Sequence, residues 1–236
     1  MPPRILILDN AVHRFLFHPT GPWRRLLDAV AYDRVNVPSG QEIPPLDRYT
    51  HLLLSGSEAS ICSPKPWFEV EAATIRTAVD RGLPVLGSCF GHQMLVYALS
   101  GAESLCASAA PEVGWIEVEA LEADELLTDL PERWHTFAYH FDEVSAPPPA
   151  PWRTLARSER CPTQIIRYGE LPVWGVQPHP EVTVAKARFF LALFRAFAGT
   201  ERRRLISRID CTHGGGRIAE VIVARFLEAG EAHGGR

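Results

Sequence analysis

From Leu52 to Gly101 the chain alternates short apolar runs with segments of helical period, and that alternation leaves few folds open. Leu52 to Leu54 and Val85-Leu86 read as buried strands, as does Ile5 to Leu8 nearer the N-terminus. Between the first two, in Trp67 to Arg81, Phe68, Ala72, Ile75 and Val79 recur at intervals of four, three and four, one face of a helix. Gly82 and Pro84 stop that helix where the next strand begins. After Val85-Leu86 come Gly87-Ser88-Cys89-Phe90-Gly91, then Met94, Leu95, Ala98 and Leu99 at helical spacing, closed by Gly101. Strand, helix, strand, tight turn and helix predict an α/β fold: a single doubly wound domain with a mostly parallel central sheet and a strand-turn-helix elbow.

The middle of the chain is less regular. Trp115 to Ala120 and Thr136 to Val144 read as strands. Ala146-Pro-Pro-Pro-Ala-Pro151 fits neither a strand nor a helix interior, because proline removes a donor and fixes φ. We read it as a surface loop, since residues assigned below to one site lie on both sides of it. Val173 to Val176 resembles a final short strand, and Val182 to Phe197 a helix with Phe189, Phe190, Leu193 and Phe197 on its apolar side. The domain is therefore expected over residues 1–198. Residues 199–236 read as a charged, helical C-terminal extension, in which Gly214-Gly-Gly216 precedes an amphipathic stretch carrying Ile218, Ile222 and Phe226.

Composition narrows the chemistry. Among 236 residues, 46% are hydrophobic and 22% charged, enough apolar surface for a core. A net charge of −4 is no footprint for nucleic acid, so no such partner is expected; a run such as Arg202-Arg203-Arg204 reads as a solvated face. No apolar stretch approaches a membrane span, and Ile5 to Leu8 is too short for a signal-peptide core, so the expected compartment is the cytoplasm. The five cysteines, Cys62, Cys89, Cys106, Cys161 and Cys211, are odd in number, widely spaced and without a C-x-x-C. Neither a disulfide framework nor a cysteine zinc site suits them. Four of them read as small buried thiols; Cys89 is the exception.

A nucleophile on a sharp turn between strand and helix sits at the carboxyl end of the sheet, where the helix N-terminus offers free N–H groups and a positive dipole. Both favour a thiolate at Cys89 and both can hold an oxyanion. A thiol needs a base, and the base an orienting partner. Gln177-Pro-His179-Pro-Glu181 offers both: His179 to take the cysteine proton and Glu181 to bind the far ring nitrogen. His140 and Asp142 form a rival pair. A metal held by His179, Glu181, His140 and Asp142 is the alternative chemistry, but no H-E-x-x-H or similar spacing supports it, so neither metal nor cofactor is expected.

G-S-C-F-G-H-Q at 87–93 followed by Q-P-H-P-E at 177–181 resembles the class I (triad) glutamine amidotransferases, with the motif pattern nearest the GMP-synthase-type glutaminase domain. The resemblance covers roughly residues 4 to 198. It implies cleavage of the γ-amide of glutamine or a γ-glutamyl compound through a cysteine thioester, with Cys89, His179 and Glu181 as the triad. It also implies an oxyanion hole of the Gly56 and Phe90 amides, and substrate contacts from Gln93 and from Ser57 in the Ser55-Gly56-Ser57 loop. His140 and Asp142, in Tyr139-His-Phe-Asp142, would then be pocket or partner contacts. Glu112-Val-Gly-Trp115 matches a further family motif. The implied partners are a small-molecule substrate and, in trans, a separate synthase chain. The rival activity is that of a free-standing γ-glutamyl hydrolase, and a silent binding or regulatory module is the third. Ser88, Glu58 and Pro178 depart from the family pattern, where an aliphatic residue, a proline and an aromatic are usual.

Overall fold

The computed structural model describes residues 2–13, 19–27, 29–210 and 216–233. In chain order the strands are β1 (Arg4–Asp9), β2 (Ala31–Asn36), β3 (His51–Leu54), β4 (Val85–Ser88), β5 (Leu105–Ala120), β6 (Arg133–Val144), β7 (Trp152–Arg157), β8 (Ile165–Tyr168) and β9 (Val173–Val176). The helices are α1 (Thr20–Leu26), α2 (Pro66–Asp80), α3 (Phe90–Ser100), α4 (Val184–Phe197), α5 (Thr200–Arg203) and α6 (Gly216–His233). All nine strands join one sheet in the order β2-β1-β3-β4-β9-β8-β7-β5-β6.

The first five strands in that order are parallel, and from β9 onward every pairing is antiparallel. Four strands of the parallel half, β1, β3, β4 and β9, are the part read from the apolar runs, and they are buried on both faces. Alternation then sorts their side chains into two layers. Leu6, Leu8, Leu52, Leu54 and Val85 meet α2 and α3 through Phe68, Ala72, Ile75, Met94 and Leu95. Ile5, Ile7, Leu53 and Leu86 face the other way, onto Trp23 of α1 and Ile222, Val223 and Phe226 of α6. Pro66 opens α2 at a position where its missing N–H costs nothing, and Gly82, at φ 70°, closes it.

The antiparallel half extends the expected strands. β5 begins ten residues before Trp115, and β6 pairs with it from Glu112↔His140 to Glu119↔Arg133. β2, β7 and β8 have no counterpart in the sequence reading. β2 is an edge strand with four of six residues solvent-accessible, so it lacks an apolar run; β7 and β8 are short strands beyond the proline block. That block lies at the surface, with Ala146, Pro147 and Ala150 exposed.

Two expectations are corrected. Phe189, Leu193 and Phe197 do not face the core: they are 65%, 45% and 83% exposed. α4 docks by a different stripe, Val184, Ala187, Phe190 and Leu191, onto Trp115, Phe137 and Val182, with Phe194 against Tyr139. No second layer covers its outer face among the described residues, so the phenylalanines there stay in solvent. The stretch 199–236 also does more than extend the chain. α6 lies on the sheet with Ile222, Val223, Phe226 and Ala229 buried, and His51 of β3 meets the Phe226 ring edge-on at 4.9 Å.

If α6 is part of the core, Phe226→Ala removes a fully buried ring and lowers unfolding free energy by about 3–5 kcal/mol, read from urea denaturation. A change below about 0.5 kcal/mol, the size typical of surface substitutions, would make α6 a detachable appendage.

Candidate active site

Cys89 sits between β4 and α3 with φ 52° and ψ −104°, a conformation that non-glycine residues rarely adopt and that costs about 1–3 kcal/mol. Three contacts hold it there. Its N–H donates to the Val176 carbonyl at 2.8 Å, continuing the β4–β9 ladder past the end of β4. A Cβ on Gly87 would fall 2.4 Å from the Gly91 carbonyl oxygen, and one on Gly91 would fall 2.6 Å from that of Leu54. Both positions are therefore closed to any side chain, which explains the glycine on each side of the turn. Phe90, the first residue of α3, packs in the core against Phe68 and Trp67 and anchors the helix whose N-terminus underlies the thiol.

His179 and Glu181 arrive on the segment after β9, the strand that pairs with β4. Gln177 N–H donates to the Gln164 carbonyl at 2.8 Å and His179 N–H to that of Phe137 at 2.7 Å, so the segment is tied to both β6 and the start of β8. The His179 ring places Nδ1 2.8 Å from Glu181 Oε1. Ser88 Oγ lies 3.5 Å from the same oxygen, so this departure from the family pattern puts a hydroxyl beside the carboxylate. Burial alone pulls the His179 pKa down, but the Cys89 sulfur and the Glu181 carboxylate outweigh it and hold the imidazole well above its ordinary value. The ring is thus poised to keep a proton at neutral pH beside the sulfur.

Gly56 closes the cluster. A Cβ there would fall 3.1 Å from His179 Cε1 and 3.7 Å from Cys89 Cβ. Among the described residues no acceptor takes the N–H of Gly56 or of Phe90. Behind this loop stand two residues that the sequence reading missed. The Asn10 N–H donates to Ser55 Oγ at 3.0 Å, and its amide donates to Glu71 Oε1 at 2.9 Å and to the Ser55 carbonyl at 3.3 Å. Both residues are completely buried, and burial raises the Glu71 carboxyl to about 8 despite the opposing bond from Asn10. The one available signal was Glu71 itself, a charged residue one position before the buried Ala72 on the apolar side of α2.

The other expected site residues lie near this centre in different roles. Gln93 turns its amide inward, donating to the Asp142 carbonyl at 2.8 Å and to Gln177 Oε1 at 3.0 Å. Ser57 donates to the Asn10 carbonyl at 2.6 Å and accepts from the Ala59 N–H, so its hydroxyl braces the loop. The Asp142 carboxylate accepts from Ser60 Oγ and the Ile61 N–H. His140 points away from the thiol: Nε2 is 3.0 Å from Glu112 Oε2, whose carboxylate also accepts from Ser158 and Gln164. The β6 atom near the thiol is instead the carbonyl oxygen of Tyr139, 3.8 Å from Cys89 Sγ. Glu112, His140 and Cys161 bring ligand-type atoms within 4.8 Å of one another, a grouping that shares His140 alone with the four residues weighed for a metal. Glu58 pairs with His13 at 3.2 Å. Of the other cysteines, Cys161 is buried and its thiol is pushed up to about 12 by burial, whereas Cys106 is half-buried. Cys62 is exposed, against expectation, because it lies in the surface turn that Asp142 caps; Cys211 lies outside the described residues.

The family model of class-I glutamine amidotransferases matches residues 24–194. The chain is 41% identical over 100 residues to the glutamine-hydrolysing GMP synthase subunit of Pyrococcus abyssi, covering 42% of this chain and 52% of that one. It is 33% identical over 146 residues to the corresponding subunit of Methanosarcina mazei, covering 61% and 75%. The matched regions span about half the length of the first of these curated relatives. A glutamine amidotransferase from Methylobacillus flagellatus shares the fold with a TM-score of 0.78 at 21% identity, covering 97% of this chain and 94% of that one.

Two outcomes follow from this geometry. Gly56→Ala places a methyl against the His179 ring and lowers amide hydrolysis by about 10²-fold with little loss of stability; wild-type turnover would separate Gly56 from the site. The folded domain holds the Glu71 proton up to about pH 8, whereas an exposed carboxyl releases it near 4.5. The stability due to this residue is therefore whole below 4.5 and lost as pH rises to 8. Glu71→Gln has no such proton, so its unfolding free energy gains on wild type across that range in urea titrations; parallel curves would mean an ionised Glu71.

Proposed function

Because the chain belongs to the class I glutamine amidotransferases, we propose that it hydrolyses the γ-amide of glutamine, or of a close γ-glutamyl compound, through a thioester on Cys89. The observation that carries this reading is the backbone strain at Cys89 combined with the 2.8 Å contact that orients His179 on Glu181. The Cys89 thiolate attacks the γ-carbonyl carbon, a C–S bond forms, and the carbonyl electron pair moves onto oxygen. That oxyanion lies against the Gly56 and Phe90 N–H groups. As it collapses, the C–N bond breaks and the His179 imidazolium gives its proton to the departing nitrogen, releasing ammonia or an amine. Neutral His179 then takes a proton from water, the hydroxide attacks the thioester, and the C–S bond breaks to return thiolate and glutamate. Glu181 stabilises the imidazolium at both stages.

We place the enzyme in the cytoplasm, delivering ammonia to a separate synthase chain in trans, a division of labour suggested by its likeness to single subunits of GMP synthases. Among the described residues no helix is long and apolar enough to cross a membrane. A γ-glutamyl hydrolase working alone is the second reading; Pro178, where the family carries an aromatic, and Glu58, tied to His13 at the mouth of the β1 loop, favour an altered pocket. Assaying the purified chain on glutamine and on a panel of γ-glutamyl compounds, following ammonia and glutamate, separates the two.

Cys89→Ser abolishes hydrolysis without unfolding the domain, and an electrophilic glutamine analogue labels Cys89 while sparing exposed Cys62. His179→Ala costs at least about 10³-fold in kcat, Glu181→Gln less, and His140→Ala less again. If His140→Ala is inactive while His179→Ala keeps most of its turnover, the triad is misassigned.

A further inference from the structure

Between α4 and the segment from Arg203 to Asp210 lies a cleft of about 790 Å³. Arg188 and Arg195 line it from α4, Arg203 and Arg208 from the facing segment, with Trp115, Leu191 and Ile209 also in its walls. Asp210 is the one acid among the lining residues. Many surface arginines elsewhere are neutralised, Arg133 and Arg157 by Glu119, Arg153 by Glu122, Arg167 by Asp124, and Arg225 by Glu228, and those without an ion pair, such as Arg24 and Arg160, are scattered rather than gathered in one cleft. None of the four cleft arginines has an ion-pair partner among the described residues. Arg203 is positioned by a bond from Nε to the Ala198 carbonyl, which leaves the rest of its guanidinium for a ligand.

Four uncompensated guanidinium groups converging on one concavity repel each other, and a chain of net charge −4 has carboxylates enough to neutralise them. Their arrangement is instead suited to an anion from outside. Arg188 and Arg195 are two turns apart on α4, about 10 Å along its axis, too far to grip a single phosphate together. The cleft volume falls in the range of small-molecule sites, and guanidinium forks match phosphate oxygens in pairs. Ile209, 40% exposed beside the charges, offers apolar contact to a ring. We propose that this cleft binds a polyphosphorylated small molecule of the nucleoside di- or triphosphate class, at a site separate from Cys89.

The cleft is also joined to the triad by short contacts. Ser207 N–H donates to the Val113 carbonyl at 2.7 Å, and Trp115 meets Phe137 edge-on at 5.9 Å. Phe137 in turn accepts the His179 N–H. A ligand that clamps the 203–210 segment onto α4 therefore bears on the strand that positions the base.

Isothermal titration of the full chain with inorganic pyrophosphate, ATP, GTP and the unphosphorylated nucleosides tests the proposal. Binding of the nucleotides, weakened by salt, is expected; pyrophosphate binding as tightly as ATP would assign the site to polyphosphate alone and overturn the nucleotide class. Arg195→Glu with Arg208→Glu should weaken nucleotide binding at least about tenfold while thermal unfolding stays near wild type. Arg133→Glu, a paired surface arginine, is the control, and Cys89→Ser should bind as wild type whether or not the chain proves to be a glutaminase. Failure of all nucleotides to bind, binding unchanged by the double substitution, or binding only to long RNA would overturn the site.

Discussion

The hydrogen bond from Cys89 N–H to the Val176 carbonyl is the contact on which the candidate site turns. It is the last rung of the β4–β9 ladder, and it lies beyond the end of β4, where the backbone has already left strand geometry. A strained residue persists only where its surroundings over-determine it. Here the bond fixes the amide, Gly87 and Gly91 admit the close passage of the first turn of α3, and Phe90 is buried beneath. Relaxing any of these lets the chain recover about 1–3 kcal/mol and swing the sulfur away from His179.

Support around this point is polar where it meets the reaction and apolar behind. His179 is fixed at two atoms, by its backbone bond to Phe137 and its ring contact to Glu181. The Gly56 loop is fixed from below by Asn10, Ser55, Ser57 and the protonated Glu71. A carboxylate at that depth would carry a large desolvation cost, so holding the proton is the cheaper state over most of the physiological range. The loop thus rests on a neutral hydrogen-bonded support that adds no charge to compete with the His179–Cys89 pair.

The buried parallel strands β1, β3, β4 and β9 and the elbow were legible because buried strands are apolar without interruption and because the glycine spacing around Cys89 has one steric reading. His179 and Glu181 were legible from their order along the chain and the resemblance it carried. Asn10 was not, since one polar residue after a strand has no periodicity to betray it. The outward face of α4 misled for the opposite reason: its phenylalanines have a helical repeat, but the repeat marks which residues share a face and says nothing about whether that face is covered. β2 escaped because an edge strand carries polar residues on its open side, and β7 and β8 because charged Arg153, Arg157 and Arg167 break up their short apolar runs.

β9 lies between β4 and β8, so Cys89 and His179 follow strands that are spatial neighbours although the whole stretch from α3 to β8 separates them in sequence. Loop-closure entropy makes such a pairing slow to form and late to be rewarded. Until β9 pairs with β4, Cys89 lacks both the Val176 carbonyl that bends it and the imidazole that follows β9. On the role proposed for Cys89, chemical competence therefore requires the β4–β9 pairing, and thiol reactivity at Cys89 becomes a measure of how many molecules have formed it.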